Sequence, residues 1–164
     1  MNRVGVFVDV GNQFFTINKK WEGRKLDYEA YKAKASTFGT VVRAFAYGTQ
    51  IENSAAKFIA CLHHFGYEPQ YKSIERNNWY SWDVGMAMDM VRVSDKIDVA
   101  VVGSSSRSIA PALQYLREKG IRVVVLGCGI NKDVKEACDQ WIEITEEMLE
   151  GINEKEVEPV AQES

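Results

Sequence analysis

The chain has 164 residues, 46% of them hydrophobic, enough for one domain with a substantial core. No run of about 18 apolar residues occurs, so nothing reads as a membrane span, and the N-terminus lacks the long apolar stretch and cleavage site of a secretory signal. The net charge of −3 hides an uneven distribution: residues 146–164 hold seven of the 23 acids but one of the 20 bases, leaving a mildly basic body that permits a nucleic-acid partner without demanding one.

Val4-Gly5-Val6-Phe7-Val8 is an uninterrupted small or apolar run, the pattern of a strand buried on both faces of a parallel sheet. Asp9 follows at its C-terminal end, then Gly11, which allows a tight turn, and Asn12. A carboxylate there stands where open α/β sheets bind ligands; it can equally cap the helix expected near 13–18. Further helices are expected near 28–38, 55–65, 84–93, 109–119 and 134–138, alternating with strands at 41–47, 68–73, 99–102, 122–126 and 141–144. Asp27 and Ser54 suit N-caps, while Gly39, Gly66 and Gly120 suit the positive-φ residue after a helix. Helix-Gly-strand junctions such as LREKGIRVVV indicate βαβ units with right-handed crossovers. The expected fold class is therefore α/β, a three-layer α/β/α sandwich with a mainly parallel, doubly wound sheet. One domain is expected over 1–145, then an acidic C-terminal helix and frayed tail over 146–164.

Two segments break this rhythm. Residues 73–82 are polar but carry Trp79, Tyr80 and Trp82, which either plug a core edge or form a stacking surface for bases. Residues 103–108 read Gly-Ser-Ser-Ser-Arg-Ser, where small hydroxyls and backbone amides suit either an anion or a simple helix cap. In a parallel sheet the C-terminal strand ends share one edge, so Asp9 and the loop after Val102 are expected as neighbours. Asp83, at the start of its helix, can join them, and crowded carboxylates call for a hard cation such as Mg or Mn. Such an ion activates water for attack on a phosphodiester. Asp83 also reads as an N-cap, and Asp89, six residues on, lies about 240° around the helix from it. His63-His64 has no metal-spaced partner, and Leu126-Gly-Cys-Gly lacks the third glycine of a nucleotide fingerprint. Cys61, Cys128 and Cys138 form no CxxC pair and read as reduced core thiols of a cytoplasmic protein.

The ordered segments FVDVGN, KLDYEAY, VVRAFAYG, HFGYEPQYKSI, WDVGMAMDMV, DKIDVAVVGS, LQYLREKGIRVVVLG and EACDQWIEI resemble the NYN family of PIN-like nuclease domains, and its bacterial LabA-like branch in particular, over residues 4–144. The resemblance implies a PIN-like sandwich whose acids bind Mg or Mn and hydrolyse RNA, expected here to be single-stranded. It assigns Asp9, Asn12 and Asp83 to catalysis and Asp9, Asp83 and Asp89 to the metal. Ser104, Ser106, Arg107 and Ser108 fall on the substrate-binding loop, where the family pattern Ser-Gly-Asp-x-Asp-Phe has aspartates in place of Ser106 and Ser108. That departure removes two anions, and Arg107 adds a cation that repels a metal and welcomes a phosphate. Two outcomes stay open. One is a weak or altered Mg/Mn-dependent endoribonuclease, with ion binding reduced or lost. The other is a catalytically inactive RNA-binding or regulatory module, partnered by a second copy or another protein.

Overall fold

A computed structural model describes residues 1–151. These residues form six strands and six α-helices, in chain order β1 (Arg3–Asp9), α1 (Val10–Lys20), α2 (Tyr28–Ala35), β2 (Thr40–Gln50), α3 (Ala56–His64), β3 (Glu68–Ser73), α4 (Asp83–Val93), β4 (Val99–Gly103), α5 (Ala110–Glu118), β5 (Arg122–Gly127), α6 (Lys132–Ala137) and β6 (Gln140–Glu143). All six strands join one parallel sheet in the order β3-β2-β1-β4-β5-β6. The expected α/β class and doubly wound sheet are thus what the chain adopts. β4 is buried along its whole length and β5 beyond Arg122, which explains their unbroken valine runs.

The chain builds outward from β1 in one direction, then returns across it and builds outward in the other. Right-handed crossovers made in opposite directions place their helices on opposite faces. α1, α2 and α3 bury Ile17, Tyr31 and Leu62 against Val4, Val6 and Val8. α4, α5 and α6 bury Met86, Met90, Leu113 and Val134 against Phe7, Phe45, Val102 and Val125. β1 serves both layers because alternate side chains of a strand point to opposite faces. The reversal leaves a crevice at the C-terminal ends of β1 and β4, the place where such sheets bind ligands.

Local expectations hold with two corrections. Asp27 caps α2 by accepting a hydrogen bond from Ala30 N, and Gly66 and Gly120 take positive φ of 86° and 85°. Ser54 does not cap α3: the cap position is Ala55, and Ser54 Oγ instead accepts from Ile51 N within the preceding turn. Cys61 is exposed on α3, whereas Cys128 and Cys138 are buried as core thiols. After β6, Glu146–Met148 form a single 3-10 turn, and the backbone at Leu149 bridges back to Leu26. The tail expected to fray, residues 153–164, lies outside the described residues.

Candidate functional site

Asp9 ends β1 and caps α1, its Oδ1 accepting from Asn12 N at 3.1 Å. The carboxyl is half-buried, and burial is the main force pushing its pKa up from 3.8 to about 6. The hydrogen bond from Asn12 N opposes that rise, and the negative charge of Asp83 adds to it. Asp83 opens α4 from the other helical layer, where the cap position is Trp82. Its Oδ2 accepts from Ser106 Oγ at 2.7 Å, so the loop after β4 reaches the second carboxylate directly.

The shape of that loop is set by two consecutive amides of α1. Asn12 Oδ1 accepts from Ser105 N at 2.9 Å and from Gln13 Nε2 at 2.8 Å. Gln13, fully buried, in turn accepts from Cys128 N at 2.9 Å through its Oε1. One turn of α1 therefore ties down the chain leaving both β4 and β5. Asn131 Nδ2 donates to Ser105 O, and the buried Ser104 Oγ accepts from Ser106 N at 3.1 Å. Gln13 had no sequence signal beyond being a polar residue in an apolar helical pattern, and its burial with both polar atoms satisfied marks it as a strut.

A groove of about 400 Å³ opens over this edge, with Asp9, Asn12, Asp83 and Ser106 in its lining. The lining also takes in Phe15 from α1 and Trp79, Tyr80 and Trp82 from the loop before α4. The aromatic residues of this loop differ in burial and contacts. Trp82 plugs the core edge, its Nε1 donating to Gly48 O at 2.8 Å and its ring 5.5 Å from that of Tyr47. Trp79 is 81% exposed. Phe15, 66% exposed, was not singled out from the sequence; its spacing of three from Asn12 was the signal, since residues three apart share a helix face.

Other candidate residues lie elsewhere. Asp89 is absent from the groove lining: its Oδ2 accepts from the Tyr47 hydroxyl and its Oδ1 from Arg92, both at 2.9 Å. Burial, aided by Asp89, holds the Tyr47 hydroxyl far above its ordinary pKa. Arg107 and Ser108 are exposed and also outside the lining, because a 3-10 turn over Arg107–Ile109 carries them outward. A larger hollow of about 730 Å³ lies at the opposite end of β5, around Arg117, Gly120 and Arg122. Arg117 there is paired with Asp139 and Arg122 bonded to Gln140, so the hollow presents surface already satisfied.

Among the described residues no group of three or more His, Cys, Asp or Glu side chains could hold a metal ion. The groove instead offers the carboxylates of Asp9 and Asp83, with the Ser106 hydroxyl bonded to the second. An all-oxygen set with two acids fits a hard cation such as magnesium, which keeps several waters and takes one or two carboxylates. The repulsion that Asp83 exerts on Asp9 is charge that such a cation would relieve. No helix among the described residues is long and apolar enough to cross a membrane.

The family model described as NYN domain matches residues 3–147. No curated protein matches the chain. Among solved structures, a protein of unknown function, VPA0982 from Vibrio parahaemolyticus RIMD 2210633, is 21% identical with a TM-score of 0.81, covering 90% of this chain and 96% of that one. That likeness shows the fold. A pyrazinamidase/nicotinamidase from Streptococcus mutans UA159 is 11% identical with a TM-score of 0.42, over 82% of this chain and 92% of that one, which is too distant to inform the site.

Proposed function

The chain belongs to the NYN domain family, and on that premise we propose that it is a divalent-metal-dependent, ribonuclease-like domain acting on RNA, with its acid cluster reduced to a single weak ion site. Its fold is of the PIN-like nuclease type. The observation that carries the reading is the meeting of Asp9 and Asp83, 74 positions apart and from opposite helical layers, in the lining of one groove at the strand-end edge.

In this reading Asp9 and Asp83 hold a magnesium or manganese ion, which when bound supplies positive charge at the scissile phosphate and lowers the pKa of a water. Ser106 Oγ, donating to Asp83 Oδ2, fixes the orientation of that carboxylate. Asn12 acts by positioning: with its Oδ1 engaged by Ser105 and Gln13, it keeps the loop against α1 and leaves its Nδ2 as the group free to orient a phosphate oxygen. Arg107, exposed at the loop's outer side, steers the flanking backbone of the strand. Asp89 contributes by anchoring α4 to Tyr47 instead of as a ligand.

A second reading, RNA binding or regulation without cleavage, is favoured by one observation. The hydroxyl beside Asp83 belongs to Ser106, which brings no charge to offset a dication. Calorimetric titration with magnesium and manganese, paired with cleavage of single-stranded RNA, separates the two. Ion binding and cleavage that both vanish in Asp9→Asn support the nuclease. An ion-independent complex that is never cleaved leaves only the binding module.

A further inference from the structure

We propose that the groove takes an unpaired nucleobase between Phe15 and Trp79, so that the site engages single-stranded nucleic acid through base stacking more than through phosphate contacts. The inference rests on the reading of the groove as a nucleic-acid site and goes further in naming what holds the ligand.

Phe15 and Trp79 belong to elements on opposite faces of the sheet. Phe15 stands on α1, whose Ile17 packs in the layer with α2 and α3. Trp79 stands on the loop leading into α4, whose Met86 and Met90 pack in the other. Both line the same groove, and both are mostly exposed, at 66% and 81%. Large aromatic rings held out of the core in the lining of one cleft are a cost to the free protein unless something covers them.

The cleft chemistry indicates what that is. Its lining combines the aromatic rings of Phe15, Trp79, Tyr80 and Trp82 with acceptors and donors in Asp9, Asn12, Thr49 and Ser106. A heterocyclic base has the complementary form, with two π-faces and a hydrogen-bonding edge. A volume of about 400 Å³ lies within the roughly 300–1,000 Å³ of small-ligand sites. The lining contains two acids and no lysine or arginine, and the nearby Lys72 Nζ lies over the Tyr80 ring, 5.8 Å from its centroid, so without a bound ion the groove holds phosphates poorly by charge. Stacking must then supply the affinity within it. Next to Trp79 in the chain, Tyr80 packs edge-on against Trp82 with centroids 5.2 Å apart, and Trp82 is tied to Gly48 O. A base already stacked in a duplex cannot enter without being unpaired and extruded, which makes the site selective for single strands.

The test uses the full chain in EDTA, where metal-dependent cleavage cannot occur, and a short fluorescently labelled single-stranded RNA. Comparison probes are the same strand annealed to its complement and an abasic strand of equal length. Binding is read by anisotropy and by quenching of tryptophan fluorescence. Trp79→Ala and Phe15→Ala are each expected to weaken binding of the single strand about 5- to 100-fold, the range of one base–aromatic stack, with unchanged thermal stability because both rings are exposed. The duplex and the abasic strand should bind as weakly as the variants. Abasic binding equal to the parent strand, unaltered affinity in both variants, or no binding at all would overturn the proposal. Its failure is distinguishable from that of the nuclease reading. RNA cleavage in magnesium that is indifferent to Phe15 and Trp79 defeats the stacking site alone, and stacking-dependent binding without cleavage in any metal defeats the nuclease alone.

Discussion

Replacing Asp9 by Asn should destroy metal binding and at the same time stabilise the metal-free protein. The carboxyl is half-buried beside Asp83, and its pKa stands at about 6 against an ordinary 3.8. A folded-state pKa above the unfolded one means that the folded protein binds the extra proton between those values. Stability from this group is therefore full below about pH 4 and is lost as pH rises through about 6. A displacement of about two units corresponds to about 3 kcal/mol at neutral pH, at 1.36 kcal/mol per unit. Asn carries no charge to desolvate and serves equally well as an N-cap for α1. At pH 8 the variant should be more stable by up to about 3 kcal/mol, an increase of about 6–12 °C in Tm for a chain of this size. The gain should shrink to nothing near pH 4. Thermal denaturation of both proteins from pH 4 to 8 in EDTA gives the comparison. Repetition in magnesium should raise the Tm of the parent by mass action and leave the variant unmoved. A variant that is less stable at pH 8, or a difference that does not vary with pH, would refute the claim that the site holds a desolvated, repelled carboxylate.

Manganese binding to the parent, followed by calorimetry, should weaken as pH falls through about 6, because the ion competes with the proton on Asp9. Ser106→Asp adds a carboxylate beside Asp83 Oδ2; it should lower the Tm of the metal-free protein and tighten manganese about tenfold, or about 1.4 kcal/mol, whereas the exposed Ser108→Asp should change neither. Gln13→Ala removes a fully buried strut and leaves Cys128 N without its acceptor, so urea denaturation should report a loss of about 2–4 kcal/mol. Gly103→Ala would bring a Cβ within 2.6 Å of the Tyr31 hydroxyl, itself bonded to Leu126 O, and should cost about 1–3 kcal/mol in the same measurement.

The strands and helices were legible because each carries its own physical signature. Val4 to Val8 and Val123 to Val125 are apolar without alternation, which only a strand covered on both faces tolerates. The glycines at 66 and 120 end helices because positive φ is cheap only there. Even the neighbourhood of Asp9 and the loop after β4 followed from the sheet being parallel. Which of the candidate residues reach the groove did not follow. Asp83 and Asp89 look alike in sequence, yet the helix turns one toward Ser106 and the other toward Tyr47. Ser106 and Ser108 look alike as well, and a single 3-10 turn keeps one at the carboxylates and sends the other to solvent. Gln13 gave no sign of becoming a strut, and Phe15 showed only its spacing of three from Asn12. Secondary structure is decided by the periodicity of a chain against its own neighbours, which one sequence displays. Which polar side chains meet depends on the angular phase of separate elements, and that is fixed only when two helical layers close over the same sheet edge.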